Sequence, residues 1–376
     1  MTQTRKYGIF SVPVIVGALG YFVDIYDLLL FGIIRKQSLR SLGLNEEQVL
    51  SSGENIISIQ MAGLLIGGII WGIMGDKRGR LSVLFGSIIL YSLANIANGL
   101  VVNTGQYAAV RFIAGIGLAG ELGAGITLVS ELLSKEKRGI GTSLVAGIGL
   151  TGAVAAYFIS QVFDWRICYF IGGGLGLLLL LLRVSVFESG MFNQVKQLNV
   201  VRGDFRMFFN NAARFKKYAL SILIGLPTWY VIGVLVTFSD QFGKHFGISE
   251  TIDPGRAIMF AYAGISIGDI LIGLVSQVLK SRKKALFIFY GITLLFMGLF
   301  FTQQDGSAER MYIICAGLGF GTGFWAIFVT MAAEQFGTNL RATAATTVPN
   351  MVRGSLPLII VLFKWLRESM DYVTAG

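Results

Sequence analysis

Residues 54–80 read ENIISIQMAGLLIGGIIWGIMGDKRGR. From Ile56 to Gly75 the side chains are almost all apolar or small. Four charges then arrive together: Asp76, Lys77, Arg78 and Arg80. An apolar run of about 20 residues matches a helix crossing ~30 Å of hydrocarbon, and the charges mark where that helix meets water. The same unit recurs along the chain. Eleven apolar runs fall at about 10–34, 54–75, 82–101, 107–129, 140–160, 167–187, 217–238, 258–279, 285–302, 311–331 and 345–366. This repetition predicts an all-α, multi-pass membrane protein.

Composition agrees. Of 376 residues, 54% are hydrophobic and 14% charged. A soluble domain carries about 25% charged residues, so this chain has too few to coat a water-soluble globule. Forty-nine glycines against five prolines suit close-packed membrane helices. The net charge of +10 raises nucleic acid as a partner. The cations lie between the apolar runs rather than on one face, however, which is a topology signal and excludes a phosphate-binding surface. With the N-terminus in the cytoplasm, 20 of the 31 basic residues fall on the cytoplasmic side, Arg183 among them. Nine, including Arg35, Lys36, Arg40, Lys364 and Arg367, fall outside, and Arg111 and Arg353 lie within spans. This bias predicts an inner (plasma) membrane protein of bacterial type with a cytoplasmic N-terminus. The opening MTQTRKYGIFSVP has no small-residue cleavage site and reads as an uncleaved first helix.

The longest interior polar stretch, 188–216, separates an N-terminal six-span bundle (1–187) from a C-terminal bundle (217–376) of five visible spans. The odd number leads us to expect a twelfth helix beyond the C-terminus. The central stretch is basic, and an interfacial helix is expected near Phe205–Phe209. The halves echo each other. Glu131…Arg138 after the fourth run and Glu334…Arg341 after the tenth share a seven-residue spacing and lie 203 residues apart. Such repeats suit a transporter whose halves rock about a central site.

These residues also carry a family resemblance. Gly72…Gly75-Asp76-Lys77-Arg78-Gly79-Arg80 resembles the loop between the second and third helices of the major facilitator superfamily. Arg111-Phe-Ile-Ala-Gly115-Ile-Gly117 resembles its fourth-helix motif, and Asp164-Trp165-Arg166 with Arg183…Glu188-Ser189 resembles the two ends of its sixth helix. Gly20-Tyr-Phe-Val-Asp24-Ile-Tyr26-Asp27 and Gly120-Glu121 look like the metabolite:proton symporter (sugar and organic acid) branch. The sequence departs from the family in having Lys77 for the first loop Arg and no Asp in the second-half loop. The resemblance implies the major facilitator fold, two pseudo-repeated six-helix bundles, and a monomer. It also implies a cytoplasmic gate built from Gly72, Asp76, Lys77, Gly79, Arg80, Glu131, Arg138, Glu334 and Arg341.

Ionisable side chains inside a membrane are costly unless paired or facing water, so they are candidates for function. Asp27 lies about 9 Å and Arg111 about 6 Å inside the outer ends of their helices, near enough to meet. Asp24 is one turn below Asp27, and Glu121 lies near mid-membrane. Asp24, Asp27, Arg111 and Glu121 are the proton-coupling candidates, with Asp27 or Glu121 as carrier and Arg111 as switching partner. Asp269 and Arg353 lie near mid-depth in the second half, where they either pair or leave Arg353 to face an anionic substrate. Tyr26, Trp325 and Asn350 join them as substrate-binding candidates. Gln60, Asn95, Asn98, Trp229, Tyr230 and Tyr262 form a wider polar and aromatic set.

Gly115-Ile-Gly117-Leu-Ala-Gly120 matches the dinucleotide fingerprint literally, but it lies inside an apolar run with no strand before it, so helix packing is the reading. Cys168 and Cys315 have no metal or disulfide spacing. His245, the single histidine, falls in an outer loop. With no nucleophile–base pair, metal set or cofactor motif, an enzyme is not expected. The expected function is secondary active transport of a small organic solute, an organic anion first, by proton symport and alternating access across the lipid bilayer. Export by the same fold and a sensor without net flux are the alternatives.

Overall fold

The computed structural model describes residues 8, 10–133, 135–187, 205–337 and 340–376. The side chains of Asp76, Arg80, Glu131, Arg138 and Arg341 lie outside the described set, so these gate candidates have no structural account. Among the described residues the regular structure is helical throughout. We number the helices by apolar run. α1 is Val12–Ser41, α2 Glu46–Arg78, α3 Arg80–Asn98 and α6 Trp165–Phe187. α4 is split into Thr104–Leu118 and Glu121–Leu132, and α5 into Lys135–Leu150 and Gly152–Val162. α7 runs as Ala212–Tyr230, a π-turn at Val231–Val236, and Ser239–His245. α8 is Pro254–Val278 and α9 Arg282–Phe301. α10 is split into Ala308–Gly321 and Trp325–Glu334, and α11 into Arg341–Gly354 and Leu356–Ser369. Among the described residues nine helices are long and apolar enough to cross a membrane, and Ser82–Asn98 is a shorter apolar one.

Local chemistry sets the ends. Asn45 and Gln48 form a reciprocal capping box that starts α2. Asn103, Asn211, Asp253, Ser281 and Ser307 cap the starts of α4, α7, α8, α9 and α10. Because Asn211 supplies its cap, α7 begins five residues before the apolar run expected from 217. Pro227 removes one backbone donor inside α7, and the π-turn follows within a turn.

The breaks repeat between the halves. Gly120 at the α4 break and Gly323 at the α10 break are 203 residues apart, the same offset as the Glu–Arg echo. The glycines pack as expected. A side chain at Gly115 would run into the Gln60 carbonyl of α2, and one at Gly319 into the Ala261 carbonyl of α8, so the same helix crossing is built twice.

The halves touch along their whole length. On the face away from Asp76, Lys36 of α1 binds Asp240 of α7 at 2.6 Å, and Glu54 of α2 takes Lys364 at 2.8 Å and Arg367 at 3.1 Å from α11. In the middle, Ser266 donates to the Gly147 carbonyl (2.6 Å) and Asn350 to that of Ala119 (2.7 Å). Toward the Asp76 face, Thr343 donates to the Gly72 carbonyl at 3.3 Å. The halves are therefore in contact toward both ends and in the middle. Arg35, counted above among the outer cations, is inside a helix and buried because α1 runs on to Ser41, and Arg183, counted on the cytoplasmic side although it falls within the 167–187 run, is buried in α6.

Candidate functional site

The charged interior forms three groups. In the first, Arg111 of α4 is buried against the Tyr169 ring of α6, 4.9 Å from its centroid. It donates to the Asp27 backbone carbonyl at 3.3 Å and to the Asn95 side chain. Arg111 and Asp27 are thus brought together as expected, but Arg111 bonds to the Asp27 backbone and to Asn95 rather than to the Asp27 carboxylate.

The second group corrects the expectation for Glu121. Its partner is Arg183 of α6, not Arg111. Both side chains are 1% exposed, and the guanidinium fork meets both carboxylate oxygens, one at 3.0 Å. The pair sits under Gly20 of α1, where a side chain would strike it. A clue to the burial of Arg183 was available: six leucines, Leu177–Leu182, precede it and an apolar tail follows, so it sits inside a span. Nothing local named its partner.

The third group lies between the halves. Arg353 of α11 has its guanidinium 5.6 Å from the Trp325 ring centre and 5.9 Å from that of Trp229. It is 1% exposed, and among the described residues it makes no ion pair with a carboxylate and its Nε has no hydrogen-bond partner. Asp24 of α1, Tyr21 and Tyr262 lie within its electrostatic reach. The Asp24 carboxylate, the Tyr21 hydroxyl and the Trp325 indole N–H are also buried without hydrogen bonds. Tyr21 was not anticipated, because an aromatic residue in mid-helix carries no mark of its role.

The structure places three further candidates. Asp269 does not pair with Arg353. Its carboxylate accepts from the Ala326 N–H at 2.9 and 3.2 Å and so caps the second half of α10, where unpaired donors and the helix dipole attract an anion. Tyr26 turns away from the interface and donates to the Cys168 carbonyl at 2.9 Å, because two residues past Asp24 means a rotation of about 200° around the helix. Asn350 bridges α11 to α4 through Ala119, with only its side-chain oxygen left unpartnered. Of the gate candidates, Glu334 binds Arg282 of α9. Lys77 is exposed, Gly72 touches α11, and Gly79 takes φ 93°, ψ 158° at the α2–α3 turn.

A cavity of about 430 Å³ opens on the Asp76 face between the halves, lined by Thr142, Ser276, Gln277, Lys280, Arg282 and Thr330 among others. Among the described residues no cluster of His, Cys, Asp and Glu is arranged to hold a metal.

Two repeated helix bundles closed over a charged, buried interior define a polytopic membrane carrier. The chain belongs to the Major Facilitator Superfamily, whose family model matches residues 17–359. It is 28% identical to the niacin transporter NiaP of Acinetobacter baylyi, over 87% of this chain and 80% of that one. It is 25% identical to the sialic acid transporter NanX of Escherichia coli, over 89% and 81%. A solved structure of the transporter FucP in its outward conformation superposes with a TM-score of 0.72 at 15% identity, over 98% of this chain and 95% of that one. The protein is a secondary transporter, not an enzyme.

Proposed function

We propose that this transporter imports a small organic anion together with a proton, by alternating access across a bacterial inner membrane. It works as a monomer, with the Asp76 face in the cytoplasm. The observation that carries this reading is Arg353: a buried guanidinium between two tryptophan rings, at the interface of the halves, with no carboxylate in ion-pair contact among the described residues. A buried cation without a counter-ion is costly, and a solute carboxylate would supply one.

Charge balance then ties the proton to the solute. With Asp24 ionised and Arg353 charged, the empty site is neutral. A monoanion on Arg353 leaves a net negative charge, which protonation of Asp24 removes. One proton thus accompanies one monoanion, because the low-dielectric interior penalises any other count. Asp27, beside Arg111, is the second carboxylate able to exchange a proton. Glu121 is held by Arg183 and serves the fold. The niacin and sialic acid transporters fit an organic-acid solute.

The test is uptake into proteoliposomes from a panel of organic acids, amino acids, betaines and sugars, with and without an acid-outside pH gradient. Gradient-driven accumulation of one organic acid, abolished by Arg353→Ala and weakened in KM by Arg353→Lys, is the expected result. Folded protein that accumulates no solute under that gradient overturns the proposal in favour of export, another coupling ion or sensing.

A further inference from the structure

The charges on the face away from Asp76 do not balance. Four cations, Arg35 and Lys36 of α1 with Lys364 and Arg367 of α11, meet two carboxylates, Asp240 of α7 and Glu54 of α2. Lys36 holds Asp240, and Lys364 and Arg367 hold Glu54, each at 3.1 Å or less. Arg35 has no such partner. The Asp240 carboxylate stands 3.9 Å from its Nη2. The same nitrogen donates to the Thr237 carbonyl at 3.4 Å, and the guanidinium lies 4.7 Å from the centre of the Phe238 ring. Arg35 is 1% exposed, and among the described residues its Nε and Nη1 have no hydrogen-bond partner. Donors left unused on a buried cation are costly, so the fold keeps this guanidinium at a loss.

The few contacts that Arg35 does make last only while the halves meet on this face. Thr237 and Phe238 sit at the bend of α7 and Asp240 in its last segment, so all three belong to the C-terminal half. When alternating access parts the halves here, they leave together. Arg35 then keeps its packing on α2, where its neighbour is Gly53. A Cβ on Gly53 would lie 2.5 Å from the Arg35 Cδ, so no α2 side chain at that position covers the arginine. Glu54, the next residue, loses Lys364 and Arg367 in the same movement. It can neutralise only one of Arg35 and Lys36, so the N-terminal side of the parted face carries one cation too many. Lys364 and Arg367 against Asp240 leave the same excess on the other side. A mouth of that sign draws in anions.

We propose that Arg35 is a receiving site for a monocarboxylate, filled when the halves part on this face and emptied as the anion moves inward. The proposal rests on the reading above that the solute is an organic anion entering from this side. A guanidinium with free donors suits a carboxylate, and the incoming anion takes the place that Asp240 leaves. Arg35 and Asp24 are eleven residues apart on α1, about 16 Å, and Asp24 is within the electrostatic reach of Arg353. One small acid cannot hold both guanidinium groups at that distance, so the two sites act in series. While it is filled, the Arg35 site keeps Asp240 from returning and holds this face open.

Maleimide labelling of Ile258→Cys in the full chain tests this, because Ile258 is 1% exposed and packs near Gly32 on this face. Arg353→Ala is combined with it, so neither the central site nor transport enters the result. The probes are benzoate, its uncharged isostere benzamide, and chloride at the same ionic strength. Benzoate at twice its Kd should raise the labelling rate about threefold, since a ligand held by one state shifts the equilibrium by a factor of 1 + [L]/Kd. Benzamide and chloride should leave the rate unchanged. Arg35→Gln should abolish the response and Arg35→Lys should keep most of it. The comparison of probes with Arg35 in place stands even where Arg35→Gln does not fold. Equal rates with benzoate and benzamide, an equal effect of chloride, or a benzoate response that survives Arg35→Gln would each overturn the assignment. A benzoate response in a protein that accumulates no acid would leave this site standing and remove the proposed function alone.

Discussion

Glu121 and Arg183 form a two-pronged ion pair in which both side chains are 1% exposed, joining α4 to α6 beneath Gly20 of α1. Removing one partner strands a buried charge, which costs about 3–5 kcal/mol. Glu121→Gln and Arg183→Met should each lower the thermal midpoint of the detergent-purified protein sharply. The double variant Glu121→Leu/Arg183→Met should recover much of the loss. A single variant as stable as wild type would show that the pair does not hold the bundle.

Asp269 gives α10 its second start. Asp269→Ala leaves the Ala326 N–H without its acceptor and should cost about 0.5–2 kcal/mol, the usual range for a lost cap. Asp269→Asn keeps an acceptor and should cost less. Chemical denaturation of the two variants checks the order, and equal losses would argue against capping.

The face away from Asp76 is fastened by two buried carboxylates, each held by cations of the other half. Glu54→Gln and Asp240→Asn should loosen it. Ile258, which packs near Gly32 at this end, is the reporter. Cys168 and Cys315 are buried, so maleimide labelling of an Ile258→Cys protein reads the introduced thiol. Labelling should rise severalfold in either variant, and unchanged labelling in both would show that the clasps do not keep the face closed.

Gly79 occupies φ 93°, ψ 158°, a region open only to glycine. Gly79→Ala should destabilise by about 1–3 kcal/mol. A thermal midpoint indistinguishable from wild type would mean that the turn relaxes at no cost.

Asp24→Asn tests the proton route. The amide keeps the shape but cannot ionise, so accumulation driven by a pH gradient should vanish while exchange of labelled for unlabelled solute persists. Undiminished gradient-driven accumulation would move the carrier role to Asp27.

The sequence by itself determined the membrane class, the run of helices and the repeat, because spanning length, interfacial charge and glycine spacing are local properties. It also marked Asp24, Asp27, Arg111, Glu121, Asp269 and Arg353, since a charge inside an apolar run stands out without any fold. Partner choice was decided only by tertiary structure. Glu121 meets Arg183 across 62 residues, Asp269 meets a helix start 57 residues away, and Glu54 meets Lys364 from the other half. Each pairing depends on the rotation and depth at which two helices pack, and one residue of rotation, about 100°, sends a side chain to a different neighbour. Tyr26 illustrates this: its position on α1 was legible, but its turn toward α6 and away from Arg353 was settled by the packing of three helices.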